Sequence, residues 1–112
     1  MNELLYTLLV TVTIYHADPK QTDNTPFITA SNQVIDSINP AGHRWIAVSR
    51  DLEPLGFTFG ACVYIEGISE ELDGEWEVQD RMNKRWKKRI DLLVNKDRMC
   101  CRWDNIKLTL LK

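Results

Sequence analysis

Three aspartates stand beside apolar, strand-like runs. Asp51 follows Trp45-Ile46-Ala47-Val48-Ser49-Arg50, Asp80 closes Trp76-Glu77-Val78-Gln79, and Asp91 lies inside Arg89-Ile90-Asp91-Leu92-Leu93-Val94. An aspartate within a run of Ile, Leu and Val is disfavoured by strand propensity. Turned inward, it would need compensation for lost hydration. Two carboxylates held close together push one pKa up, which general-acid work at neutral pH requires. Asp91 is therefore the first candidate for chemistry, with Asp80 as its partner. The alternative is a structural Asp91 that faces solvent or accepts backbone N–H bonds from a loop, and composition alone favours that alternative.

The elements that must position these residues read as strands. β-Branched and aromatic residues gather in short runs separated by turn residues, the mark of a small all-β domain. Strands are predicted over Tyr6–His16, Trp45–Ser49, Cys62–Glu66, Glu75–Gln79, Ile90–Val94 and Ile106–Leu111. Asp73-Gly74 is a strong hairpin signal, so Val63–Glu66 should pair with Glu75–Gln79 around Gly67–Gly74. Asp18–Pro26 reads as a long surface loop, and Asn39-Pro40-Ala41-Gly42 as a turn. Helix signals are few: Asn83–Arg89 could form a turn or two behind an Asn83 cap. Trp45 and Trp76 belong to packing, and Trp86, set among charges, is the best candidate for an exposed ring.

The chain has 112 residues, 44% of them apolar, which fits one domain over residues 1–112 with one modest core. With 27% charged residues and few Gly and Pro, disordered and collagen-like architectures are excluded. No apolar run reaches the length of a membrane span. The apolar run at Leu4–Val10 is preceded by Glu3 rather than by a basic residue, and no clean small-x-small site follows, so it is read as mature protein rather than a signal peptide. Localisation stays open: the chain is expected to be made in the cytoplasm, with a virion or the cell wall as its two candidate destinations.

The formal charge is −2, but residues 1–80 hold three basic and thirteen acidic side chains, whereas residues 81–112 hold eleven basic and three acidic. Internal pairing on one compact domain is the simplest reading of that asymmetry, and nucleic acid is not expected as a partner. Cys62, Cys100 and Cys101 do not form a disulfide framework. They are expected as free thiols with Cys62 in the core, because neighbours on an extended chain point to opposite sides. Two histidines and no C-x-x-C give no basis for a metal or cofactor.

The stretch Asp80-Arg81-Met82-Asn83-Lys84-Arg85-Trp86-Lys87-Lys88-Arg89-Ile90-Asp91 resembles the second half of the three-aspartate (3D) domain, a double-psi β-barrel. In that family an Asp closes one strand, a loop follows, and an Arg-Ile-Asp-like triplet opens the next. Thr13-Ile14-Tyr15 is similar to the family's Thr-x-Tyr strand, and Thr29-Ala30-Ser31 to its Thr-Ala-x-Gly segment, with Ser31-Asn32 where Gly is expected. Ile46–Asp51 resembles its Ala-Val-Asp region, and Phe59–Gly67 its Gly-x-x-Val-Tyr-Ile-x-Gly hairpin. The resemblance covers roughly residues 11–95. It implies an all-β, six-stranded double-psi barrel with little helix, related to lytic transglycosylase A, rare lipoprotein A and the expansins.

What the resemblance implies for function is a peptidoglycan- or glycan-processing or glycan-binding domain. Asp91, Asp80 and Asp51 would be the catalytic residues, with Asp91 as acid/base, and Tyr15, Thr29 and Trp86 would contact the glycan. The alternative is a non-catalytic barrel serving as a structural or accessory component among protein partners, for instance in a phage particle. The loop Arg81–Arg89 departs from the family pattern, with six basic residues and no glycine. Those cations are expected to lower the pKa of Asp91 if they approach it, and Arg89 is the likeliest ion-pair partner for a neighbouring acid.

Overall fold

The computed structural model describes residues 6–17, 27–98 and 101–111. The expected loop at 18–26, the first residues of the apolar N-terminal run and Cys100 lie outside the described residues. Six strands appear where the sequence runs place them: β1 (Thr7–Tyr15), β2 (Trp45–Val48), β3 (Cys62–Glu66), β4 (Gly74–Arg81), β5 (Arg89–Leu93) and β6 (Trp103–Leu110). They close into a barrel in the order β1-β5-β2-β4-β3-β6. The β1/β5 and β2/β4 pairs are parallel, and the other four are antiparallel. Closure leaves no free sheet edge.

Alternation along the strands fills the interior. Val10 and Val12 of β1, Ile46 and Val48 of β2, Val63 and Ile65 of β3, Trp76 and Val78 of β4, Ile90 and Leu92 of β5, and Ile106 and Leu108 of β6 form one buried cluster. Leu52 and Phe57 plug it from the 3₁₀ turn Arg50–Leu55 and the chain just after it. The expected β3–β4 hairpin is present, with Ile65 opposite Gly74. Gly74 takes a φ of 119°, which a side-chain-bearing residue rarely adopts. Asp73 ties the loop by accepting the backbone N–H groups of Gly67, Ile68 and Ser69.

The same alternation corrects one expectation. In Cys62-Val63-Tyr64-Ile65-Glu66 the inward residues are Val63 and Ile65, so Cys62 faces out and is exposed and free. The expectation of three free thiols is also corrected, because Cys101 is disulfide-bonded. It was argued for cysteines on an extended strand, and Cys101 precedes β6 rather than lying in it. Asn83–Arg89 makes a turn and no helix. Asn83 accepts the backbone N–H of Arg85 through its side chain and that of Trp86 through its carbonyl.

A second, smaller apolar cluster lies outside the barrel wall. Residues 27–35 fold back on themselves through an Ile28/Val34 bridge. Ile35 and Phe27 of this flap pack with Trp45, Leu93, Ala17 and Tyr15. The flap turns at Asn32, whose φ is 68°. Asparagine tolerates that conformation better than most residues. The flap turns part of the outer wall of β1, β5, β2 and β4 into a covered surface.

Candidate functional site

The outer wall carries one row of four residues across four strands. Thr13 of β1 is opposite Asp91 of β5, Asp91 is opposite Ala47 of β2, and Ala47 is opposite Asp80 of β4. Asp80 joins this row through a register shift. Ile46 pairs with Val78 but Ala47 pairs with Asp80, so β4 holds one extra residue, Gln79. Without such a bulge, residues 78 and 80 would point to the same side. With it, Val78 enters the core and Asp80 joins Asp91 on the outside.

Each carboxylate has specific partners. Asp91 accepts the Thr13 hydroxyl. Asp80 accepts the Tyr15 hydroxyl at 3.2 Å and the backbone N–H groups of Ala30 and Arg81 at 3.0 Å each. Tyr15 therefore reaches from β1 to a residue of β4, across two intervening strands. Burial raises its pKa well above the ordinary phenol value, reinforced by the Asp80 charge and hydrogen bond and by the charge of Asp91. It is a fixed donor at neutral pH.

The Asp91 pKa is raised, contrary to the expectation of a depressed value. Burial is the largest cause, and the charge of Asp80 adds to it. The Thr13 hydrogen bond and the charge of Arg89 act the other way without prevailing. The reason is that the loop swings outward. Arg81, Lys84, Arg85, Lys87 and Lys88 are all exposed, and Arg81 is taken up in a bidentate pair with Glu53. Arg89 alone turns toward the row. Its Nε donates to Thr13 Oγ1 at 3.4 Å, and its guanidinium lies 4.0 Å from the Trp86 ring centroid, so its closest partners are a hydroxyl and a ring rather than an acid.

Asp51 lies just after β2 and does not join the row. It accepts the backbone N–H of Lys88 at 3.0 Å, while Ser49 accepts that of Arg89, so the two hold the end of the basic loop against the barrel. The three aspartates do lie toward one end of the barrel, where β2 and β4 finish and β5 begins. Thr29 is buried in the flap, bonded to Ser31 and to the backbone N–H of Gln33. Ser31 in turn donates to the buried bulge residue Gln79. Thr29 thus shapes the flap above the row. Trp86 is half-buried, with Arg85 4.8 Å from its centroid on the loop side. His16 bonds the carbonyl of Arg98.

Sequence reasoning did not identify Gln79, Ser31 or Ala47 as parts of this site. Only Ala47 carried a visible signal, as the smallest residue in an Ile-Ala-Val run. A cleft of about 490 Å³, lined by Arg44, Glu71, Trp76, Val94, Asn95 and Arg98 among others, lies at the opposite end of the barrel. There Arg44 is spent on the carbonyls of Glu71, Asp73 and Glu75, and Arg98 on Glu71. No helix among the described residues is long and apolar enough to cross a membrane. No family model, curated protein or solved structure matches the chain.

Proposed function

We propose that the protein cleaves or binds a glycan at the Asp80/Asp91 row, with Asp91 as a single acid/base. The observation that carries this reading is a carboxyl whose burial favours the protonated form, beside a second carboxylate held by a phenol and two backbone N–H groups. In the cleavage step Asp91 gives its proton to the glycosidic oxygen as the bond from the anomeric carbon to that oxygen breaks. The 6-hydroxyl of the same muramyl sugar then bonds to the anomeric carbon and returns its proton to Asp91. The products are a 1,6-anhydro end and a free hydroxyl on the leaving sugar. No second catalytic carboxylate is consumed, unlike in two-carboxylate hydrolysis. Asp80 keeps the Asp91 proton tightly bound.

The second reading is a non-catalytic barrel in a larger assembly. It is favoured by the internal partners of both carboxylates, since Thr13 holds Asp91 and Tyr15 holds Asp80. Digestion of purified peptidoglycan, with mass spectrometry for anhydro ends, separates the two. Cleavage by the parent and none by a folded Asp91→Asn variant is the expected result. Intact glycan with both proteins removes the cleavage step, and intact glycan together with no retention of the parent on insoluble peptidoglycan supports the assembly reading instead.

A further inference from the structure

The two histidines of the chain make bonds of opposite kind. His16 Nε2 lies 2.7 Å from the carbonyl oxygen of Arg98, so it donates, and that bond survives protonation of the ring. His43 Nε2 lies 2.9 Å from the backbone nitrogen of Asp36, whose N–H it accepts. Only a neutral imidazole with its proton on Nδ1 can do this. A second ring proton would point at the Asp36 N–H, donor against donor. The half-buried His43 ring is held flat on Trp45, with centroids 3.9 Å apart and planes 10° from parallel. Asp36 directly follows Ile35, the last residue of the flap, and Ile35 shares its apolar cluster with Trp45. The His43–Asp36 bond therefore fixes the C-terminal root of the flap to the barrel, while Asp80 holds the middle of the flap through the Ala30 N–H.

We infer that His43 is a pH-sensitive latch on the flap: neutral, it holds residues 27–35 over the Asp80/Asp91 row, and protonated, it releases them and opens the row. An imidazole is the side chain that ordinarily changes charge between about pH 5 and 8, so the latch works in mild acid. The charged groups around this corner do not replace the lost bond. The Asp36 carboxylate is taken by the N–H groups of Ile38 and Asn39 in its own turn. Glu77 of β4 accepts the Trp45 indole N–H at 3.2 Å. Arg44, next in the chain, turns its guanidinium to the carbonyls of Glu71, Asp73 and Glu75. The turn after β5, tied to Ala41 through Asn95, carries Lys96 and Asp97, both exposed. Because the barrel strands do not depend on His43, release is a local opening and not global unfolding. The inference concerns access to the row and holds whether the row cleaves a ligand or only binds one.

The test is amide hydrogen exchange of the full chain by NMR, from about pH 8 to about pH 5, each rate divided by that of an unstructured amide at the same pH. The reporters are Asp36, bonded to His43, and Thr29 and Ile35, bonded to the carbonyls of Gln33 and Phe27. Amides of β2 and β5 serve as the reference. In the parent, flap protection is expected to fall at least about tenfold toward acid, with the midpoint of the His43 ring signals, while barrel protection holds. His43→Gln, whose side-chain oxygen accepts an N–H at any pH, should keep flap protection constant. His43→Phe, which stacks but accepts nothing, should leave it low throughout. Flap protection in the parent that does not change with pH overturns the inference. So does a fall that persists in His43→Gln, which would assign the pH response to Asp80 or Asp91. A His43→Phe flap as protected as the parent's at about pH 8 overturns it as well. The parent titration decides alone if either variant fails to fold. Digestion of peptidoglycan plays no part in these readings, so failure of the latch and failure of the glycan reading are separate results.

Discussion

Asp80 and Asp91 lie on strands that do not pair with each other, yet both pair with the same residue, Ala47. Ala47 is 4% exposed and turned outward between the two carboxylates. A larger side chain would fill the space above β2 that the row and the flap share. Ala47→Leu is expected to cost about 1–3 kcal/mol through overpacking. It should also push the Asp91 midpoint further up, because added apolar surface desolvates the carboxyl. Urea denaturation and carboxyl NMR titration measure the two effects. Unchanged stability with an unchanged midpoint would mean that Ala47 does not separate the carboxylates.

Asp91 makes a signed prediction for pH. Its folded pKa is raised, chiefly by burial, so the folded protein holds that proton more tightly than the unfolded chain does. Stability from this group is full in acid, falls as pH rises from the unfolded toward the folded value, and stays reduced above it. An asparagine at this position still accepts the Thr13 hydroxyl and carries no charge. Asp91→Asn should therefore be more stable than the parent at neutral pH, with the difference closing in acid. Denaturation at several pH values reads this directly. A variant less stable at every pH would mark the carboxylate as a structural group.

The flap hangs on a short polar chain from Thr29 through Ser31 to Gln79. Thr29 is 3% exposed, and its hydroxyl also accepts the Gln33 N–H. Thr29→Val keeps the shape and strands these partners, a loss of about 1–3 kcal/mol. The expected signature is local: protease cleavage within residues 27–35 accelerates before the barrel melts. Cleavage that tracks global unfolding would mean that the flap is held by its apolar face alone.

Most of the barrel was legible because its strands are short β-branched runs with clear turns between them. The Asp73-Gly74 hairpin and all six strand positions follow from local chemistry. The position of Asp80 was not legible in the same way. It depends on a bulge, which is a property of two paired strands rather than of either sequence. The direction of the Asp91 pKa was not legible, because it depends on whether cations close in sequence are also close in space, and five of the six loop cations are exposed, with Arg81 claimed by Glu53. Asp51 shows the same limit: its place after a strand-like run does not reveal that it pins a loop. The exposure of Cys62 was legible in the alternation of its own strand.

The cysteines differ in reactivity. Cys62 is exposed and free, while Cys101 is disulfide-bonded. Brief alkylation of the native, unreduced protein should modify Cys62 and leave Cys101 unmodified until a reductant is added. Peptide mass spectrometry assigns the sites. Labelling of Cys101 without reductant would show that the bond does not form in the protein as isolated.

Tyr15 spans the site, and its removal should act differently at neutral and alkaline pH. Tyr15→Phe fills the same volume but withdraws one hydrogen bond from Asp80, which keeps the Ala30 and Arg81 N–H groups. The expected cost at neutral pH is modest, about 1 kcal/mol. The folded phenol pKa is raised by burial and then by Asp80, so folding opposes ionisation of Tyr15. Above about pH 10 the unfolded parent loses this proton while the folded parent keeps it, and the parent's stability falls with rising pH. The phenylalanine variant has no such loss. The gap between the two proteins should narrow above that pH, and the tyrosine ionisation that appears only on unfolding should vanish from the ultraviolet titration of the variant. A constant gap across the range, with the late ionisation still present, would place that buried phenol elsewhere in the barrel.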